Sequence, residues 1–240
     1  MPRHPAPIPD PPASDPLASD LLASDLLISG PLISDPLISD AVRLLERPGR
    51  QLLALCGPPA AGKSTLARGI VDGVDRRLGV GSAAYLPLDG FHLSNRQLER
   101  LGLADRKGSA PSFDVHGYLA LLRRVRSTPA HEVYVPDYDR SLHEPVAARH
   151  VIPPAARLVV TEGNYLAVDA DGWREVRELV AELWYVDAPE ELRDRRLIGR
   201  HRGNGSTPER ARARVTGNDR PNGLLVQASR ERCDRVVAGV

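Results

Sequence analysis

Lysine is nearly absent from this chain of 240 residues: Lys63 and Lys107 are the only two among 32 basic side chains, and arginine supplies the rest. Cysteine is as scarce. Cys56 closes an apolar run and Cys233 lies far from it, which argues against a disulfide framework and for two reduced thiols in a cytoplasmic protein. The formal net charge is +1, so no global field draws in nucleic acid or an anionic membrane. Aromatic residues make up 4% of the chain, and none falls between 193 and 214, its most arginine-rich stretch, so the stacking platform of a single-strand binder is missing there. No run of about eighteen uncharged apolar residues is present to span a membrane. The opening MPRHPAPIPDPP has prolines and an acid where a signal peptide needs a basic head and a clean apolar stretch.

What is present divides the chain in two. Residues 13–42 repeat every five positions, ASDPL-ASDLL-ASDLL-ISGPL-ISDPL-ISDAV. That period fits neither helix nor strand, and Pro16, Pro31 and Pro36 would interrupt a helix. Residues 1–40 are therefore expected to be a low-complexity, disordered or loosely helical extension, with docking to a partner as the alternative reading because Leu and Ile recur in it. From Ala41 the pattern alternates: strands at 50–56, 82–88, 157–161, 182–186 and 235–238, helices at 64–77, 118–126 and 189–200, and a further strand at 131–135. Strands separated by helices at this spacing imply a parallel sheet covered on both faces, an α/β domain over 41–240 whose ligands sit at the carboxyl ends of the strands.

Gly57, Asp89 and Glu162 fall at such ends. Gly57, Pro58, Pro59, Ala60, Ala61, Gly62, Lys63 and Ser64, followed by Thr65, fit the phosphate-binding pattern G-x-x-x-x-G-K-[ST], with a strand before and a helix after. The glycines let backbone N–H groups turn inward on phosphate oxygens, and the helix adds its positive end. Lys63 then reaches the β- and γ-phosphates of ATP, and the Ser64 hydroxyl suits Mg2+. A GTPase would carry Asn-Lys-x-Asp, which two lysines at 63 and 107 do not provide; Asp114–Gly117 and Asp169–Gly172 match D-x-x-G only by coincidence.

A kinase needs a carboxylate near the acceptor hydroxyl, a carboxylate for the metal, and cations for the developing phosphoryl charge. Asp89 ends the second strand, placed to accept a hydroxyl proton or touch metal; Glu162 closes a buried strand, where a charge needs a partner such as Mg2+. Arg193, Arg196 and Arg200 share a helix face beside the flexible Gly199–Gly205 stretch, which suggests a lid over about 193–214.

Taken in order, GPPAAGKST, PLDGFHLSN, RKGSAPSFD, VPDYDRSLHEP, VVTEGNYL and RRLIGRH resemble the P-loop small-molecule kinases that include uridine kinase, bacterial pantothenate kinase and phosphoribulokinase. The nearest likeness is to bacterial nucleoside/nucleotide kinase-like proteins, some described as fructose-transport-associated. The resemblance implies a three-layer P-loop fold with a five-stranded parallel core, an arginine-bearing lid, and a substrate region inserted between the second strand and the strand of Glu162. It assigns Asp89 as catalytic base, Lys63 as γ-phosphate contact, Arg196 and Arg200 as lid arginines, and Ser64, Glu162 and Asp89 as metal partners. It places His92, Lys107, Tyr138, Arg140 and His143 toward the acceptor.

Uridine kinases usually carry Tyr where His92 stands, and DGFH is nearer the pantothenate kinase pattern. Asn218, Asp219 and Asn222 resemble a family motif or cap the turn after the lid. The expected activity is transfer of the γ-phosphoryl group of ATP, with Mg2+, to a hydroxyl of a nucleoside, sugar or pantothenate-like alcohol. The alternative is a catalytically silent ATP-binding module that regulates or scaffolds. A small-molecule partner is expected, without nucleic acid or membrane; homo-oligomerisation is left open.

Overall fold

The run QLLALC, strand β1 (Gln51–Cys56), is apolar almost throughout because both of its faces are covered. The computed structural model describes residues 33–127 and 130–240. In it β1 is the middle of a five-stranded sheet with β2 (Ala83–Pro87), β5 (Leu158–Glu162), β6 (Glu182–Asp187) and β7 (Arg235–Ala238), ordered β2-β5-β1-β6-β7. Every neighbouring pair is parallel. The expected three-layer fold with a five-stranded parallel core is therefore the observed one.

Side chains alternate across a strand, so Leu52, Ala54 and Cys56 enter one core and Leu53 and Leu55 the other. Helix α4 (Val115–Ser127) fills the first core with Tyr118, Leu119, Leu122 and Val125. Helices α1 (Asp35–Arg43) and α2 (Lys63–Leu78) fill the second with Ile38, Ala41, Leu66, Ile70 and Val74. Each large aliphatic side chain fully buried this way contributes about 1.5–3 kcal/mol. The remaining helices are α3 (Asn95–Arg100), α5 (Val176–Leu179), α6 (Glu190–Gly203), α7 (Pro208–Arg214) and α8 (Arg220–Gln227). Among the described residues no helix is long and apolar enough to cross a membrane.

Helix α1 starts at Asp35, six residues before the expected boundary at residue 41 and within the repeat. Pro36 does not interrupt it: the proline sits in the first turn, where no N–H is needed for the helical ladder. Ile33 and Ile38 pack on α2 at Gly69 and Gly73, where an added Cβ would come within 2.2 and 2.5 Å of them. Asp40 pairs with Arg43 and with Arg235 of β7, and the Arg235 contact holds its carboxyl below the usual range. The copies before Ile33 lie outside the described residues.

The strand expected at 131–135 is longer than expected. It is β3 (Val133–Asp139), which pairs with β4 (Glu144–Ile152) in a separate antiparallel hairpin. The register shifts around Pro136, which has no N–H to give the ladder. At the foot of the sheet Arg50, only 9% exposed, donates to the carbonyls of Ala156, Val125, Pro153 and Pro154 at 2.7–3.1 Å. The two thiols are free, as expected, and lie 3.3 Å apart.

Candidate active site

The loop after β1 turns on two glycines with positive φ, Gly57 at 148° and Gly62 at 96°. A side chain at Gly57 would strike the Val186 carbonyl at 2.3 Å, and one at Gly62 the Val240 carbonyl at 2.6 Å, so both positions demand glycine. The turn delivers Lys63 as the first residue of α2. Lys63 is 6% exposed and its ammonium donates to the Pro58 carbonyl at 2.9 Å, so the loop is preshaped around its own cation. Burial lowers the Lys63 pKa, against the pull of the Glu162 and Asp89 carboxylates.

Two further strand ends face this loop. At the end of β5, Glu162 is 4% exposed and accepts from Ser64 Oγ at 2.9 Å and from Tyr85 OH at 2.7 Å, both on Oε1. Burial and then the Asp89 charge push the Glu162 pKa up. The strand is fixed just below: Thr161 Oγ1 donates to the Leu86 carbonyl at 2.7 Å, so Tyr118 OH, 2.7 Å away, is the donor to Thr161. After β2, a single 3-10 turn, Leu88–Phe91, presents Asp89.

The β3–β4 hairpin and the segment around α3 form the opposite wall. His92 Nδ1 lies 2.8 Å from the Asp89 carbonyl, and its ring is 4.0 Å from that of Phe113 and 4.9 Å from that of Tyr138. A carbonyl only accepts, so Nδ1 carries the proton and Nε2 is the acceptor in the neutral ring. Burial lowers the His92 pKa, keeping that neutral form. Lys107 Nζ donates to Asn95 Oδ1 at 2.6 Å and to the His143 carbonyl at 2.5 Å, and lies 5.0 Å from the Tyr138 ring centroid. Burial and the Glu144 charge raise the Tyr138 pKa to about 12.

These walls enclose one cleft of about 830 Å³. It is lined by Pro59, Ala60, Gly62, Lys63, Ser64 and Thr65 of the loop, by Asp89 and Glu162, by Arg196 and Arg200 of α6, and by His92, Lys107, Tyr138, Arg140 and His143. Gly57, Pro58 and Ala61 shape the loop without lining the cleft. Arg193 does not join Arg196 and Arg200: its Nε donates to the Ala188 carbonyl at 3.1 Å and it is buried. Arg196 already reaches the loop, donating to the Ala60 carbonyl at 3.2 Å. The flexible stretch expected from Gly199 is helical as far as Gly203.

Sequence reasoning missed several members of the site. Tyr85 shows only as an aromatic in an apolar strand, yet it holds Glu162. Arg214, at the end of α7, donates to the Lys107 carbonyl at 3.1 Å and lines the cleft with Asn95, Asn164 and His201; His201 lies 2.7 Å from Asp219, which the sequence marks only as part of a motif or a cap. Among the described residues no group of three or more His, Cys, Asp and Glu side chains stands ready to enclose a metal. The hard oxygens of Ser64, Glu162 and Asp89 beside a phosphate loop nevertheless fit Mg2+ completed by phosphate oxygens and water, which is how that ion is commonly held.

No protein-family model matches the chain. It is 30% identical over 193 residues, 78% of this chain and 82% of the relative, to a Schizosaccharomyces pombe protein provisionally named a uridine kinase. A crystal structure from Silicibacter sp. TM1040, described provisionally as a fructose transport system kinase, superposes with a TM-score of 0.77 at 34% identity, covering 84% of this chain and 97% of that one. YFH7 from Saccharomyces cerevisiae shares the fold, with a TM-score of 0.73 at 19% identity, over 85% of this chain and 97% of its own. With the phosphate loop, the two strand-end carboxylates and these relatives together, the chain belongs to the uridine kinase-like P-loop kinases.

Proposed function

We propose that this kinase transfers the γ-phosphoryl group of ATP to a hydroxyl of a small metabolite, a nucleoside, sugar or pantothenate-like alcohol. The observation that carries the reading is that Lys63, Asp89 and Glu162 face, across one cleft, a wall of His92, Lys107, Tyr138, Arg140 and His143. A protein that only bound ATP would need the first side of that cleft and not the second.

In this reading the loop amides and Lys63 hold the phosphates, and Arg196 and Arg200 meet charge developing on the transferred group. The acceptor oxygen bonds to the γ-phosphorus, its proton passes to the Asp89 carboxylate, and the bond to the β–γ bridging oxygen breaks to release ADP. Mg2+, held through Ser64 and Glu162 with Asp89 nearby, would neutralise phosphate charge when bound. Residues 193–214 act as the lid that excludes water, so that the phosphoryl group is not lost to hydrolysis.

The test is an ADP-release assay with Mg2+-ATP across uridine, cytidine, pantothenate, fructose, ribose, nicotinamide riboside and glycerate, with Lys63→Ala as the blank. Acceptor-dependent release that Lys63→Ala abolishes is the expected result. ATP binding without transfer to any compound in a broad panel would favour the silent binding module instead.

A further inference from the structure

The cations of the cleft are unequally matched by carboxylates. Among the described residues, ion pairs engage arginines over much of the surface, Arg123 with Glu175, Arg149 with Asp139, Arg174 with Asp169 and Arg177 with Asp234 among them. None engages Lys107, Arg140 or Arg214, although all three line one wall. Among the described residues, the carboxylate side chains lining the cleft are Asp89 and Glu162 beside the phosphate loop, and Asp219, which is occupied by His201 at 2.7 Å. Glu144, whose charge Lys107 feels, is turned to the Asn95 backbone N–H at 3.0 and 3.2 Å.

Two of these cations are held by hydrogen bonds, and the third faces another positive charge. Lys107 is held by two neutral oxygens over the Tyr138 ring, Arg214 is tied to the Lys107 carbonyl, and Arg140 stands close enough to Arg200 for the two charges to oppose each other. Like charges gathered in a concave cleft focus a field that attracts an anion. In the proposed reaction the ATP phosphates are met by Lys63, Arg196 and Arg200, which leaves the other three cations without an anionic group paired to them.

We propose that the acceptor alcohol itself carries an oxyanion, a phosphate ester or a carboxylate, seated among Lys107, Arg140 and Arg214. This rests on the kinase reading above and narrows its acceptor. Arg140 determines specificity, because its guanidinium is rigid, forked and without an ion-pair partner of its own. Arg214 arrives from the lid segment, so the same anion favours lid closure.

The experiment compares matched alcohols as acceptors with Mg2+-ATP: ribose 5-phosphate against ribose, fructose 6-phosphate against fructose, glycerate against glycerol, and pantothenate against panthenol. At least one anionic member should exceed its neutral partner by about tenfold or more in kcat/KM, the scale of one charge-assisted contact. Arg140→Ala should raise the KM of that acceptor by about tenfold, more than it raises the KM for ATP, and Arg140→Lys should restore part of the loss. Whether the active compounds are phosphates or carboxylates identifies the oxyanion.

Equal or better use of neutral alcohols, indifferent to Arg140→Ala, overturns the inference and leaves the kinase reading intact. If nothing is phosphorylated, thermal shifts with a non-hydrolysable ATP analogue decide. Stabilisation by anionic members alone, lost in Arg140→Ala, upholds the anion pocket while the kinase reading falls; no stabilisation by any anionic member overturns the pocket as well.

Discussion

Ser64 Oγ donates to Glu162 Oε1 across 2.9 Å, joining the first turn of α2 to the end of β5. The carboxylate it touches is buried and near Asp89, and both conditions disfavour its charge. A carboxyl with a raised pKa binds protons more strongly in the folded than in the unfolded state. Stability therefore falls as pH rises from the ordinary Glu range through the folded pKa. Glu162→Gln should remove that fall and raise the melting temperature of the ligand-free protein at pH 7, while lowering kcat by about a hundredfold or more. Calorimetry without nucleotide, paired with the ADP assay, checks both. A melting temperature lowered by the substitution would show that Glu162 stabilises the fold.

Asp89→Asn should abolish phosphoryl transfer while ATP binding stays within about threefold, because the amide keeps the shape but cannot take the acceptor proton. Titration with a fluorescent ATP analogue and the coupled assay separate the two effects. Full turnover by this variant would remove Asp89 from the mechanism.

His92 predicts an acid limb. Its pKa is lowered by burial, so between that value and the ordinary histidine range the unfolded chain binds more protons than the folded one. Stability rises with pH through that window and is lost as pH falls through it. Acidification also converts Nε2 from acceptor to donor, so acceptor kcat/KM should drop on the acid side of pH 6.5. Replacement of His92 by Gln should flatten the stability part of this dependence in melting curves taken from pH 5 to 7.5.

The packing of α1 on α2 gives a stability test remote from the chemistry. Ile38, 6% exposed, occupies the space in front of Gly73. Ile38→Ala should cost about 2–5 kcal/mol, and Gly73→Ala should destabilise by collision with Ile38. Because the two occupy the same space, the double variant should be less destabilised than the sum of the single ones. Simple additivity in urea melts would place Ile38 elsewhere.

The legible parts of the molecule are those in which local pattern and function coincide. The strands that carry Gly57, Asp89 and Glu162 are short apolar runs that stop at a glycine or a carboxylate, and the loop at Gly57–Ser64 has a spacing fixed by phosphate geometry. Strand β4 hid because GluProValAlaAlaArgHisVal alternates without an apolar face: only its last residue, Ile152, is buried, and it pairs only with β3. Helix α1 hid behind a five-residue repeat whose prolines suggested breaks, though Pro36 falls at the one turn that tolerates it. Tyr85 and Arg214 could not be found from sequence because each meets its partner, Glu162 or the Lys107 carbonyl, across 77 and 107 residues of chain.

Arg50 gathers carbonyls from α4 and from the turn before β5 at the end of the sheet away from the cleft. Mechanically the sheet resembles a hand fixed at the wrist: one guanidinium rivets the strand origins, and the cleft residues sit at the fingertips. A ligand seated at the carboxyl ends of the strands then meets a sheet fastened at its opposite end, and the sheet serves as the fixed frame for the cleft.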